Sequence, residues 1–187
     1  MSASAATATA VEDGAPAPPP ESGGARTQLI LRALAFIVGW SITLTVATYS
    51  VFASRRLGYG QREIGLLYSA AACAALLANT LALPRLVGAY GERVTCAIGL
   101  LLLGTCATGT GIVLTPPWHA LLFIMRGAGV ALTDTTIAAL IARYSPAADK
   151  ATNLGLSSSV QAGARLVAPL ASGAMLDMAL GGGVLGP

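Results

Sequence analysis

The stretch NLGLSSSVQAGARLVAPLASGAMLD, residues 153–177, decides the fold class. A helix over this stretch, rising about 1.5 Å per residue, is long enough to cross a hydrocarbon core of about 30 Å. Arg165 lies near its middle, and Pro169 follows one turn later. Because a charge and a helix breaker are unfavourable in contact with lipid, we expect both to face protein or a water-filled cavity.

The composition is that of a membrane protein. Of the 187 residues, 55% are hydrophobic and 10% are charged, whereas about a quarter are charged in soluble domains. The net charge of +3 comes from scattered Lys and Arg residues, so no nucleic-acid partner is indicated. Cys73, Cys96 and Cys106 lie in apolar runs and are interpreted as free thiols. His119 is interpreted as an anchor at the membrane edge, and no metal or cofactor is predicted.

The sequence predicts an all-α polytopic membrane protein with about five transmembrane helices. Residues 1–28 are rich in Ala, Pro, Gly and Ser, which predicts a disordered tail. The bundle is expected within residues 29–180, with spans at about 29–52, 64–83, 94–114, 120–144 and 153–177. Residues 181–187 form a Gly-rich tail too short for a sixth span. The odd number of spans suggests a truncated protein.

The distribution of Lys and Arg predicts the orientation. Six lie on the side of the N-terminus and three on the opposite side, namely Arg26, Arg32, Arg85, Arg93, Arg143 and Lys150 against Arg55, Arg56 and Arg62. Because basic residues concentrate on the cytoplasmic side, the N-terminus is predicted to be cytoplasmic. The sequence leaves open which membrane holds the protein.

Polar residues within the spans are candidates for a transport pathway. Ser41, Thr45 and Thr48 share one face of the first span, where they either line a pathway or bond to their own helix backbone. Asn79 shares a face of the second span with Tyr68. Its pathway role is weighed against simple packing.

The fourth and fifth spans carry the remaining polar candidates. Arg126, Val130 and Asp134 form a stripe on the fourth span, and Gly127 and Gly129 predict a close helix neighbour. On the fifth span the polar stripe is Ser158, Gln161, Arg165 and Ser172, and a stripe of small residues predicted to pack is Gly155, Ser159 and Gly163.

Asp134 and Arg165 are expected at the same depth within roughly 3 Å, counted at about 1.5 Å per residue. If their helices touch, the two side chains are predicted to pair. We then expect Asp134 to couple transport to protons, because its surroundings can favour either the protonated or the charged form. The alternatives are a static buried pair, or an Asp134 bonded to neighbouring threonines. Arg126 lies nearer the outer end and is expected to reach the interface or to act in transport.

Three segments carry a family resemblance. The first, PRLVGAYGER, keeps Gly91 and Arg93 but has Pro84, Gly88 and Ala89 at other positions of the motif. The second is RGAG with the helix and the turn YSPAADKATNLGL that follow it, and the third, SVQAGARLVAPLASG, contains Gln161, Arg165, Pro169 and Gly173. The chain resembles the major facilitator superfamily. It is most similar to helices seven to eleven, in the second six-helix half of drug:proton antiporters of the tetracycline-efflux type.

The resemblance implies a secondary active transporter, or its C-terminal half, that moves a small organic solute, with proton antiport as one form of coupling. The alternative is a truncated or non-transporting membrane protein that acts as an assembly partner. The missing half would lie in cis or on another chain. The implied pathway residues are Asp134, Arg165, Gln161, Arg126, Asn79 and Ser158, and the implied conformational residues are Gly91, Arg93, Pro169 and Gly173. An enzyme is not predicted, because GLSSS lacks the second glycine of a nucleophile elbow.

Overall fold

The computed structural model describes residues 25–179, and the side chains of residues 26–174. Its helices are α1 Ala25–Phe52, α2 Gln61–Leu77, α3 Leu83–Ile112, α4 Pro116–Tyr144 and α5 Lys150–Ala179. Short π-helical turns cover Ala53–Leu57 and Ala78–Ala82, and a 3₁₀ turn covers Ala147–Asp149. Residues 25–179 contain no strand, which confirms the all-α fold class. The predicted tails fall at 1–24 and 181–187, outside the described residues, but residues 25–28 are helical.

The segment between the second and third predicted spans, residues 84–93, is helical over most of its length. The chain is helical from Gln61 through Tyr90, and the helix is interrupted only at Gly91, whose φ is +79°. Pro84 fits because it lies in the first turn of α3, directly after the second π-helical turn, where a missing N–H is tolerated. The helix therefore continues beyond residue 83, where the second span was predicted to end.

The helices run in alternating directions. Gly127 of α4 meets Ala71 of α2, and residues further along both helices also meet, so α2 and α4 are parallel. After Gly91, α3 runs the opposite way, because Gly99 meets Thr133 whereas Gly109 meets Leu122. Gly91 thus reverses the chain in a single residue. Its positive φ is a conformation that glycine adopts without strain.

Three helical stretches among the described residues are long and apolar enough to cross a membrane: Arg26–Leu57, Gln61–Ile112 and Pro116–Tyr144. The second contains 52 residues and folds back at Gly91, so it supplies two arms. Helix α5 is the most polar of the five helices and is not among the three. The structure therefore has five alternating helical arms, and the crossing of the membrane by all five stays a prediction.

Helix α4 is the centre of the bundle, since it packs against α1, α2, α3 and α5. Gly127 and Gly129 make this possible. An added Cβ at Gly127 would lie 2.6 Å from the Ala71 carbonyl oxygen, and one at Gly129 would lie 2.8 Å from the Leu103 nitrogen. These are backbone atoms that cannot move aside, so the predicted close approach at both glycines is confirmed.

Candidate functional site

The middle of α4 is linked to α5 by a short chain of hydrogen bonds. Gln161 Nε2 donates to Asp134 Oδ1 at 2.9 Å, and Arg165 Nη2 donates to Gln161 Oε1 at 3.4 Å. The glutamine amide therefore lies between the carboxylate and the guanidinium. Its two ends are matched to them, because an amide both donates and accepts.

The predicted direct pair of Asp134 with Arg165 was wrong. The two helices do touch, but the side chain that faces Asp134 is Gln161, one turn before Arg165. Arg165 is exposed on α5 and reaches back along its own helix to the Gln161 amide. Gln161 and Arg165 are four residues apart and share one face of α5, so the error is about one turn along the helix axis, which a count from assumed span centres does not resolve.

Gly39 of α1 fixes the position of Gln161. An added Cβ at Gly39 would lie 2.7 Å from Gln161 Cγ and 3.4 Å from its backbone oxygen. The absent side chain lets α1 and α5 approach closely at this residue. Sequence reasoning missed Gly39, although a lone glycine within an otherwise large apolar span is the signal that marks such an approach.

A cavity of about 170 Å³ opens beside this hydrogen-bond chain. Asp134, Gln161 and Ser158 line it, so the structure brings three of the predicted pathway residues together. The other lining side chains are mostly small or apolar: Ala35, Ile137, Ala138, Leu154 and Ser157. A cavity of this size has room for water molecules or a small polar group next to the Asp134 carboxylate.

Asn79 contacts α4 at the residue next to Asp134. Its Oδ1 accepts a hydrogen bond from the Thr135 hydroxyl at 3.1 Å, which joins the second π-helical turn to α4. Because Thr135 follows Asp134 directly, Asn79 holds the helix segment that carries the carboxylate. It does not line the cavity beside Asp134.

Arg126 is far from Asp134 and deeply buried. Eight residues separate the two on α4, which corresponds to about 12 Å along the helix. Arg126 is only 5% exposed, so the expectation that it reaches the interface was wrong. Its Cζ lies 5.1 Å from the centre of the Phe123 ring, and its Nε and Nη1 have no hydrogen-bond partner.

His119 is also buried, which overturns its interpretation as an interfacial anchor. It is 0% exposed, and its ring stacks at 5.7 Å on Tyr49 and at 5.9 Å on Phe52. The neighbouring Trp118 is 62% exposed. The two side chains differ in exposure because adjacent residues on a helix point about 100° apart.

At the opposite end of the bundle, polar side chains bond between helices. After the break at Gly91, Arg93 Nε donates to the Tyr144 hydroxyl at 2.7 Å, and Arg143 lies 3.5 Å from Glu92. Two further bonds join α1 to the chain after α4: Gln28 to the Ser145 hydroxyl at 3.2 Å, and Arg32 to Asn153 at 2.6 Å. The predicted conformational residues Gly91 and Arg93 thus lie beside the end of α4.

The remaining predicted residues lie on exposed parts of the helices. Pro169 is within α5, which continues past it, and Gly173 is exposed with no neighbour within 4 Å of an added Cβ. The conformational roles of both stay predictions. The small-residue stripe was expected to pack, but Gly155 and Gly163 also face open space. That expectation was wrong for the described part of the chain.

Two of the three predicted hydroxyls on this face of α1 bond to their own helix backbone, and their pathway role stays a prediction. Thr45 and Thr48 donate to the carbonyls of Ser41 and Leu44, each four residues earlier. The same two threonines line a cavity of about 280 Å³ between α1 and α3. Their donors are therefore occupied, and only their oxygen lone pairs are available to anything in that cavity.

Apolar helices that hold a carboxylate, an amide and a buried arginine are typical of a polytopic membrane protein with a functional site inside the bundle. The sequence model of the Major Facilitator Superfamily matches residues 32–182 of the chain. The chain therefore belongs to the Major Facilitator Superfamily, and it is an integral membrane protein of a family of transporters. No curated protein and no solved structure matches it.

Proposed function

We propose that the protein is a secondary active transporter, or the C-terminal half of one, that exchanges a small organic solute for protons. We place it nearest to drug:proton antiporters of the tetracycline-efflux type, with a cytoplasmic N-terminus. Family membership supports a transport function. The hydrogen-bond chain from Asp134 through Gln161 to Arg165 is the observation that supports proton coupling.

In this proposal Asp134 carries the coupling proton. When it is charged, it accepts a charge-assisted hydrogen bond from Gln161, and protonation weakens that bond because the negative charge is lost. The bond joins α4 to α5, so a proton on Asp134 changes the contact between the two helices. Gln161 also packs on Gly39, which extends the effect to α1.

Arg165 supports the presence of a further helical half. It is exposed on α5 beside Leu166 and Leu170, which are 76% and 74% exposed. A guanidinium between leucines is unfavourable against lipid, so we propose that another half, in cis or on another chain, covers this face. The solute pathway would then run between this face and the covering half. A non-transporting assembly partner would use the same face.

The test is proton flux in lipid vesicles that contain the full chain. A pH gradient is imposed, tetracycline is added as the probe solute, and the internal pH is followed with a trapped dye. We expect tetracycline to speed the collapse of the gradient. Asp134→Asn should slow that response at least about tenfold, because an amide cannot carry the proton. The matched control is Asp149→Asn, since Asp149 is exposed in the turn before α5.

Each outcome decides one part of the proposal. Equal flux in Asp134→Asn and wild-type vesicles would remove the coupling role of Asp134. Gln161→Leu keeps the carboxylate but deletes its hydrogen-bond partner, so we expect an intermediate rate. Wild-type vesicles without any tetracycline-dependent flux would favour the non-transporting alternative.

A further inference from the structure

Three buried polar side chains near the start of α4 lack hydrogen-bond partners. We call Tyr49, His119 and Arg126 the Arg126 cluster. They are 4%, 0% and 5% exposed. The Tyr49 hydroxyl, both ring nitrogens of His119, and Nε and Nη1 of Arg126 make no hydrogen bond. Buried polar groups in proteins are almost always paired, so several unpaired groups in one place require an explanation.

Aromatic rings hold the cluster in place. Tyr49 stacks on Phe123 with ring centres 4.0 Å apart, and Tyr68 meets the Phe123 ring edge-on at 5.3 Å. The guanidinium carbon of Arg126 lies over the Phe123 ring, 5.1 Å from its centre. The polar groups are therefore fixed by packing in apolar surroundings, which is the condition for a preorganised binding site.

No acidic side chain among the described residues forms an ion pair with Arg126; the described ion pair joins Arg143 to Glu92 at the other end. A cation buried without a counter-charge is strongly unfavourable in a membrane. The ring of Phe123 compensates only part of this, because a cation–π contact leaves the N–H donors unpaired. The missing component is an anion that accepts hydrogen bonds.

The cavity of about 280 Å³ adjoins this cluster, because Tyr49 belongs to both. Its walls include the rings of Tyr49 and Phe52, the Leu44 side chain, and the Thr110 hydroxyl. Thr110 donates to its own backbone at Ala107, as Thr45 and Thr48 do to theirs. Of these hydroxyls, only that of Tyr49 retains a free donor, and the volume is near the lower limit of about 300 Å³ for small-molecule sites.

We propose that the Arg126 cluster binds the carboxylate of a small aromatic acid, whose ring occupies this cavity. The guanidinium supplies charged N–H donors for a carboxylate at Nε and Nη1, and the Tyr49 hydroxyl supplies another. His119 adds an N–H donor in its neutral form. The aromatic walls pack against the ring of the acid. The proposal does not depend on Asp134 or on proton coupling.

Ligand-dependent thermal unfolding of the purified full chain in detergent tests the proposal. The buffer contains no carboxylate, and chloride is added only as a ligand to be compared. Benzoate is the probe, benzamide is its neutral analogue, and chloride represents a compact inorganic anion. We expect benzoate to raise the unfolding temperature in a saturable way. Benzamide should give no shift, and chloride should give at most a small one.

Arg126→Met should abolish the benzoate shift. It should also raise the unfolding temperature without ligand, because it replaces an unpaired buried charge by an apolar chain of similar length. A residue with only a structural role would lower that temperature. Tyr49→Phe keeps the ring and should weaken benzoate binding about fivefold, so it tests the site even if Arg126→Met fails to fold. Arg143→Met, at the other end, is the matched control and should keep the full shift.

The proposal is overturned if benzamide matches benzoate, if Arg126→Met keeps the benzoate shift, or if Tyr49→Phe binds benzoate as the wild type does. An equal, saturable response to chloride would also overturn it, because the aromatic cavity would then contribute nothing. Asp134→Asn should bind benzoate normally. Failure of proton coupling and failure of this site are therefore distinguishable.

Discussion

The two ends of the bundle differ in how their polar side chains are bonded. At the end that contains Arg93 and Tyr144, which we call the paired end, polar side chains bond to other segments of the chain, although Gln28 Oε1 and Arg32 Nε are buried there without a partner. In the Arg126 cluster, buried polar groups meet aromatic rings and have no hydrogen-bond partner. The difference separates two uses of polarity in a membrane protein. Paired groups fix helices to one another, whereas unpaired groups are available to a ligand.

The largest loss of stability is expected at the close contact between α2 and α4. Gly127→Ala places a Cβ 2.6 Å from the Ala71 carbonyl oxygen, so α2 and α4 must separate. We expect a loss of about 1–3 kcal/mol in the free energy of unfolding, measured by detergent-driven unfolding in mixed micelles. The matched control, Gly104→Ala, places its Cβ in open space on α3 and should be neutral or stabilising. Equal effects of the two changes would refute the close contact.

A matched pair of Tyr→Phe changes tests the comparison itself. Tyr144→Phe removes the hydroxyl that accepts from Arg93 and should lower the free energy of unfolding by about 0.5–1.5 kcal/mol, because the bond is only partly buried. Tyr49→Phe removes a buried hydroxyl without a partner, so without ligand it should be neutral or stabilising. Both are measured by the same unfolding titration. A larger loss for Tyr49→Phe would reverse the assignment of the two ends.

The smallest effect is expected at the surface of the paired end. Arg143 and Glu92 lie 3.5 Å apart, and the Arg143 side chain is 61% exposed. Arg143→Gln should therefore change the free energy of unfolding by less than about 1 kcal/mol. The same titration at low and high salt serves as the control, because screening should remove the difference. A loss as large as that of Tyr144→Phe would show that the pair is much better shielded than its exposure indicates.

Periodicity and composition were sufficient to predict the helical fold and the close approach at Gly127 and Gly129, because both follow from residue size and apolarity along one helix. They were insufficient for pairings between helices. Asp134 and Arg165 were expected at one depth, but the residue opposite Asp134 is Gln161, one turn before Arg165. Which residue faces which depends on how far one helix is shifted along the other, and this is fixed by contacts such as Gly39 on Gln161 that involve residues far apart in sequence.

The Arg126 cluster shows a signal that sequence reasoning did not use. His119, Phe123 and Arg126 recur at i, i+4 and i+7, so they lie on one face of α4. His119 was assigned to the membrane edge, and Arg126 either to that edge or to transport, without use of this shared face. The shared face would have predicted that they are buried together. It could not have predicted Tyr49, which comes from α1 and is brought there by the fold.

The break at Gly91 has a mechanical consequence. The two residues after it, Glu92 and Arg93, contact the consecutive residues Arg143 and Tyr144 at the end of α4. Because no loop separates the reversal from these contacts, the arm after Gly91 and the last turn of α4 form one rigid unit. Any tilt of that arm must therefore be transmitted to α4, the helix that carries both Asp134 and Arg126.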